Sequence, residues 1–179
     1  MKKIIYYVAS SIDGYISGPN DDVSRFLYQG NGVEKYLEDL KSFQTVIMGR
    51  STYEFGYKFG VVPGQPSPTY PHMKHYIFSN KLKFDNKSDQ VELKPINTDE
   101  IIQIKRTSPT DIYLCGGGQF AGWLLENGLI DKLKIKLNPI TLGGGTPLFG
   151  KTQITANWKL IDSERFDNDL LLLTYEYIK

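Results

Sequence analysis

Three stretches of this chain carry residue types that could grip an anion or move a proton, and each stands where an apolar run gives way to a turn. Cys115-Gly116-Gly117-Gly118-Gln119-Phe120-Ala121 lies between a strand-like run and a helical one. Glycines there let backbone approach a pyrophosphate, and the following helix offers unpaired N–H groups at the positive end of its dipole. The run satisfies the G-x-G-x-x-[GA] spacing of dinucleotide sites but comes late in the chain, and a tight turn needing positive φ would use the same residues. Gly49-Arg50-Ser51-Thr52 makes a second strand-to-helix step. Arg50 could hold a phosphate through two parallel N–H groups, with Ser51 and Thr52 adding hydroxyls, and a guanidinium so placed suits the 2′-phosphate of NADPH over NADH. An arginine beside a helix start also reads as a solvated surface charge. Asp13, in Ser10-Ser11-Ile12-Asp13-Gly14, is a carboxyl at a strand end. Partly desolvated at the rim of a sheet, it would have a raised pKa and could hand over a proton near neutral pH; an Asp-Gly pair is also an ordinary turn.

The elements that must position these groups follow from periodicity. Ile4 to Ala9 is apolar on both alternating faces, as in a central strand covered on both sides. Val33, Tyr36, Leu37, Leu40 and Phe43 recur at helical spacing, with Glu34, Lys35, Glu38, Asp39 and Lys41 on the opposite, polar side. Thr45–Met48, His75–Phe78, Val91–Leu93 and Asp111–Leu114 read as further short strands. Asn97 with Glu100 makes a capping box for a helix running to Arg106, and Asn127-Gly128 ends the helix Gln119–Glu126. Leu133, Ile135 and Leu137 alternate with Lys132, Lys134 and Lys136, which predicts a strand with one face toward water. Trp158–Phe166 and Leu170–Ile178 form a hairpin turning at residues 167–169. The order predicts an α/β fold with a parallel sheet and an antiparallel edge.

Val61–Pro71, with four prolines, reads as an ordered excursion rather than a linker. Leu142–Gly150 is a second glycine loop with no helix behind it, a shaped turn on the substrate side. His72 and His75 read as surface or loop residues, and Cys115 as a packed small hydrophobe.

Length and composition bound the rest. The 179 residues suit one domain over 1–179, able to bury its own core without disulfide or metal. With 21 Lys+Arg against 20 Asp+Glu, nothing electrostatic argues for nucleic acid or an anionic membrane. Apolar runs are too short to cross a bilayer, and Met1-Lys2-Lys3 is not followed by a signal-peptide pattern. One cysteine and two histidines give neither a disulfide nor a usual zinc set. A reduced, metal-free, cytoplasmic protein is expected.

Five segments, in order, resemble the dihydrofolate reductase-like superfamily, and most of all its branch containing the C-terminal reductase domain of the bifunctional riboflavin-biosynthesis deaminase/reductase. They are Val8–Gly14, Ile47–Tyr53, Phe78–Asn80, Leu114–Ala121 and Pro139–Phe149, within a likeness running from Ile4 to Ile178. The resemblance implies a three-layer fold around a mostly parallel, mixed sheet of about eight strands with an antiparallel C-terminal hairpin. It implies NADPH across the carboxyl ends of the strands: Ala9 at the nicotinamide, Ile16 covering it, and Gly49, Arg50, Ser51 and Thr52 at the phosphates. Arg50, Ser79 and Asn80 would stand near the 2′-phosphate, and Gly116, Gly117, Gly118, Gln119 and Phe120 at the pyrophosphate. Asp13 would be the acidic group at the substrate end. The implied activity is hydride transfer to a small pyrimidine- or pterin-like heterocycle, as in 5-amino-6-(5-phosphoribosylamino)uracil reductase, in a homodimer. Dihydrofolate reductase, or a nucleotide-binding protein that has lost catalysis, are the alternatives. Cys115 stands where the riboflavin-pathway reductases usually carry an acidic residue, and Glu34, Glu38 and Asp39 lie on the polar side of the helix on which dihydrofolate reductases carry their substrate carboxylate.

Overall fold

A computed structural model describes residues 1–178. Its strands are β1 (Ile4–Ser10), β2 (Tyr15–Ser17), β3 (Thr45–Gly49), β4 (Lys74–Phe78), β5 (Val91–Lys94), β6 (Ile112–Gly116), β7 (Lys132–Leu137), β8 (Thr146–Pro147), β9 (Asn157–Arg165) and β10 (Leu171–Ile178). The α-helices are α1 (Asn31–Leu40), α2 (Arg50–Phe55), α3 (Thr98–Thr107) and α4 (Gly118–Glu126). Eight strands form one sheet in the order β5-β4-β3-β6-β1-β7-β10-β9, and β2 pairs with β8 apart from it. From β5 to β7 every pairing is parallel; β10 runs antiparallel to β7, and β9 antiparallel to β10. This is the mixed sheet with an antiparallel terminal hairpin that the element order predicts.

Each parallel strand buries both faces, so the sheet divides two cores. On one side Ile4, Tyr6, Ile47, Ile112, Leu114 and Leu133 pack under α3 and α4, through Ile101, Ile104, Ala121, Leu124 and Leu125. On the other side Ile5, Tyr7, Val46, Met48, Tyr113 and Leu172 pack under α1 and α2, through Leu40 and Tyr53, with Phe43, Tyr70 and Met73 from the loops. β6 stands between β3 and β1, so the chain returns to the centre after laying down β4 and β5. Such a return leaves a crevice at the carboxyl ends of the central strands, where open α/β sheets take their ligands.

Local signals explain most boundaries. Asn97 Oδ1 accepts from the Glu100 N–H at 2.9 Å, while the Glu100 carboxylate pairs with Lys94 instead of reaching back, so only half of the expected box forms. Gly128, at φ +63°, follows the end of α4. The hairpin turns at Asp167–Asp169. No helix among the described residues is long and apolar enough to cross a membrane.

Three expectations need correction. Leu37 is exposed and Asp39 half-buried, because α1 is rotated so that Asp39 meets Lys134 Nζ at 2.6 Å and accepts from Tyr7 Oη at 3.2 Å. The lysine face of β7 is therefore covered by α1 rather than by water; Lys136 is only 9% exposed. His75 is fully buried in β4, not at the surface: its Nδ1 lies 2.9 Å from Met73 O and its Nε2 accepts from the Ser67 N–H.

Candidate active site

The crevice is built by two strand-to-helix turns pressed together. Met48 stands opposite Gly116 in the β3–β6 pairing. A Cβ on Gly117 would lie 2.8 Å from Thr52 Oγ1, and one on Gly49 would lie 3.1 Å from Phe120 Cβ. Gly116 itself holds φ +135°, a conformation that side chains resist. Glycine at these positions lets the start of α2 touch the start of α4. Neither helix is capped by a side chain: Gly49 and Gly117 hold the N-cap positions, whereas α3 has Asn97. The first N–H groups of both helices thus lack a side-chain acceptor, and an anion at the crevice would satisfy them.

The other expected residues fall around this centre, and several already have partners of their own. Arg50 is exposed and its Nε donates to Glu54 Oε1 at 2.9 Å, one turn on in α2. Ser51 is exposed beside it. Ser79 Oγ accepts from the N–H groups of Lys81 and Leu82, and Asn80 Oδ1 from the Ile96 N–H, so both side chains shape the turn after β4. Gln119 is exposed at the start of α4. Phe120 is a core residue, stacked on Phe78 with ring centroids 4.9 Å apart, leaving only its backbone for an anion. Gly118 serves packing: a Cβ there would lie 2.2 Å from Pro147 O, because the second glycine loop lies directly against α4. That loop packs Leu148 and Phe149 against the α3–α4 core. Ala9 and Ile16 are half-buried near the end of β1 and in β2.

Asp13 departs furthest from expectation. Its carboxylate accepts from Ser11 Oγ at 2.6 Å, from the Gly143 N–H at 2.7 Å and from the Leu142 N–H at 3.1 Å. The Ser11 hydroxyl and then the Gly143 and Leu142 amides hold its pKa down to about 2, the opposite of the raised value a proton donor needs. Asp13 ties the end of β1 to the second glycine loop and stays ionised.

On the α1–α2 side the crevice opens into a cavity of about 260 Å³. Its walls are Tyr36 from α1, Met48 from β3, Thr52, Tyr53 and Phe55 from α2, and Tyr70 from the proline-rich excursion, with Cys115 at the end of β6. Tyr36 and Tyr113 hydroxyls pair at 2.7 Å, and Tyr70 Oη lies 3.4 Å from Cys115 Sγ. Burial pushes the Cys115 thiol up, with the Tyr113 and Tyr70 hydroxyls pulling the other way, so it is a neutral lining group and not a nucleophile. The excursion is held by His75, which binds the Ser67 N–H and stacks on Tyr70. The sequence singles out the excursion and Cys115 but not Tyr36, Tyr53, Tyr70 and Tyr113, whose spread over four separate segments leaves no local pattern. Their signal is composition: 12 tyrosines is a high count for this length.

Comparison with known proteins agrees with this architecture. The protein YyaP of Bacillus subtilis, itself uncharacterized, is 23% identical over 98% of this chain and 95% of its own length. A crystal structure of a putative riboflavin biosynthesis protein from Shewanella sp. PV-4 superposes with a TM-score of 0.79 at 26% identity, covering 100% of both chains. The Thermotoga maritima diaminohydroxyphosphoribosylaminopyrimidine deaminase/5-amino-6-(5-phosphoribosylamino)uracil reductase shares the fold at a TM-score of 0.72 and 15% identity, the chain spanning 57% of it. The fold is the dihydrofolate reductase-like one of these proteins. With residues 2–172 matching the model of the RibD C-terminal domain, the chain belongs to that family.

Proposed function

We propose that this chain is an NADPH-dependent reductase of a pyrimidine- or pterin-like heterocycle, resembling 5-amino-6-(5-phosphoribosylamino)uracil reductase. The observation that carries the reading is the pair of uncapped, glycine-opened turns, Gly49–Thr52 and Gly116–Phe120, pressed together beside a cavity walled by aromatic rings. NADPH, when bound, supplies the hydride. The chain's own residues bind and orient: the backbone of Gly116–Phe120 takes the pyrophosphate, Thr52 and Ser51 flank it, and Arg50, Ser79 and Asn80 line the way to the 2′-phosphate. Ala9 and Ile16 border the nicotinamide end, and the cavity holds a flat ring beyond it, excluding water from the transfer. Asp13 acts as a positioning residue that keeps the 142–143 loop on β1. A cytoplasmic homodimer is part of this reading, and gel filtration checks the assembly.

Fluorescence titration with NADPH and NADH tests it: NADPH binds more tightly, and Arg50→Ala removes roughly tenfold or more of NADPH affinity while leaving NADH unchanged, the worth of a charge-assisted contact. Absence of binding by either nucleotide ends the reading. Dihydrofolate reduction is disfavoured because the α1 carboxylate nearest the sheet, Asp39, is held by Lys134, Lys35 and Tyr7. A second reading, a nucleotide-binding protein without chemistry, draws on the fixed ionisation of Asp13 and the neutral Cys115. Single-turnover oxidation of NADPH with the phosphoribosylaminouracil substrate separates the two.

A further inference from the structure

The cavity beside the crevice is walled by neutral groups throughout. Tyr36, Met48, Phe55 and Val61 give it rings and methyl groups, and none of the described residues that line it is charged. Two ammonium groups rest over rings that wall it, Lys136 Nζ at 4.6 Å from the Tyr36 centroid and Lys58 Nζ at 5.2 Å from that of Phe55. Neither lysine lines the cavity itself.

Several of the lining polar groups are already engaged. Tyr53 Oη donates to the Gln65 carbonyl at 2.7 Å, and the Tyr36 hydroxyl pairs with that of Tyr113. Ser67 Oγ accepts from the Thr69 N–H at 3.3 Å. Thr52 and the Tyr70–Cys115 pair add hydroxyls and a thiol, each able to donate or to accept. Such groups suit a ring edge on which N–H and C=O alternate, as in a uracil or a pterin. A phosphate or carboxylate only accepts, and calls for a cation or several converging N–H groups. Burial holds the Tyr70 phenol and the Cys115 thiol protonated, both pushed up from their ordinary values. An anion brought in beside them meets the same loss of solvation. The volume, about 260 Å³, falls below the roughly 300–1,000 Å³ of common ligand pockets, which suits a ring without a long arm.

We propose that this cavity selects a neutral, planar heterocycle bearing neither phosphate nor carboxylate, and binds a phosphorylated form of the same ring more weakly. This deepens the reductase reading and rests on it, because that reading gives the uncapped turns to the cofactor and leaves the cavity to the substrate. The Thermotoga maritima relative carries a phosphoribosylamino compound in its name, so the two proteins would differ in substrate while sharing a fold.

The full chain is titrated, without nucleotide, against two pairs of probes: uracil with orotate, which adds a ring carboxylate, and uridine with uridine 5′-monophosphate. Nuclear magnetic resonance suits weak ligands, and the amide signals of Thr52 and Cys115 report occupancy of the cavity. The neutral member of each pair should bind roughly tenfold or more tightly, since its partner must strand a charge among neutral groups. Thr69 lines the cavity yet is exposed, so Thr69→Lys adds a cation without disturbing the core. That variant should narrow the gap between uridine and its phosphate roughly two- to fivefold, the worth of an exposed ion pair. The proposal is overturned if either anion binds as well as its neutral partner, or if no probe moves the Thr52 and Cys115 signals. It is equally overturned if Thr69→Lys leaves the gap unchanged, or if the phosphate binds more tightly and Lys58→Met removes that gain. Failure of the wild type to bind NADPH removes the reductase reading separately and leaves the paired probes to decide the cavity.

Discussion

The two faces of the central sheet come from the same strands, in alternation, yet one is a closed apolar core and the other a core that also walls the aromatic cavity. β6 sends Ile112 and Leu114 under α3 and α4 but Tyr113 and Cys115 toward α1 and α2. β7 sends Leu133 and Ile135 one way, and Lys134 and Lys136 the other. The α3–α4 face stabilises mainly by apolar burial, which is non-directional, with few polar contacts such as Lys105 to Asp131 and Tyr6 Oη to Leu148 O. The α1–α2 face holds hydroxyls, a thiol, an imidazole and two ammonium groups, each of which needs a partner or a ligand. A sheet can thus separate stability from recognition across its own thickness.

That separation can be broken most forcefully on the core face. Leu124, fully buried in α4, becomes alanine at a cost of about 2–5 kcal/mol, read from urea unfolding. NADPH affinity measured well below the melting temperature should barely change. A small stability loss with a large binding loss would reverse the assignment of the two faces.

Acid probes the opposite face. Burial lowers the His75 pKa to about 4 from 6.5, so the unfolded chain takes up a proton first as pH falls. Stability from neutral His75 is complete above about pH 6.5 and is lost down to about pH 4, with a slope of up to ~1.4 kcal/mol per pH unit. Denaturation midpoints at several pH values should show this slope for the wild type and a flatter one for His75→Gln. The Asp13 contribution, from a carboxylate held down to about 2, is present above the ordinary carboxylate pKa and lost only below it, outside that window.

A gentler change sharpens the contrast. Tyr113→Phe removes the hydroxyl paired with Tyr36 and should cost ~1 kcal/mol, while altering how the cavity binds a planar ring. The smallest effect is expected at Leu37, which the helical pattern assigns to the interior and the structure exposes: Leu37→Lys should change stability by less than about 0.5 kcal/mol. A larger loss would mean that α1 is turned as its sequence pattern suggests.

Leu37 and Asp39 show how far sequence reasoning reaches. The existence and type of nearly every element were legible, because strand and helix periodicities are local and the cap residues Asn97 and Gly128 are unambiguous. The glycine turns were legible as turns. Their roles were not: Gly118 is spared a side chain by Pro147, far along the chain, and Gly117 by Thr52. Asp13 looked like an acid at a strand end, and only the approach of Leu142 and Gly143 turns it into a fixed anion.

By itself, then, the sequence determined the order of strands and helices, the glycine-opened steps at the ends of β3 and β6, and the family likeness those steps carry, since each depends on neighbours within a few residues. Only the tertiary structure decided the rotation of α1, the burial of His75 and Lys136, and the meeting of Tyr36, Tyr70, Tyr113 and Cys115. Those outcomes depend on which distant groups compete for the same space and the same hydrogen bonds, and protonation follows from that competition rather than from residue type.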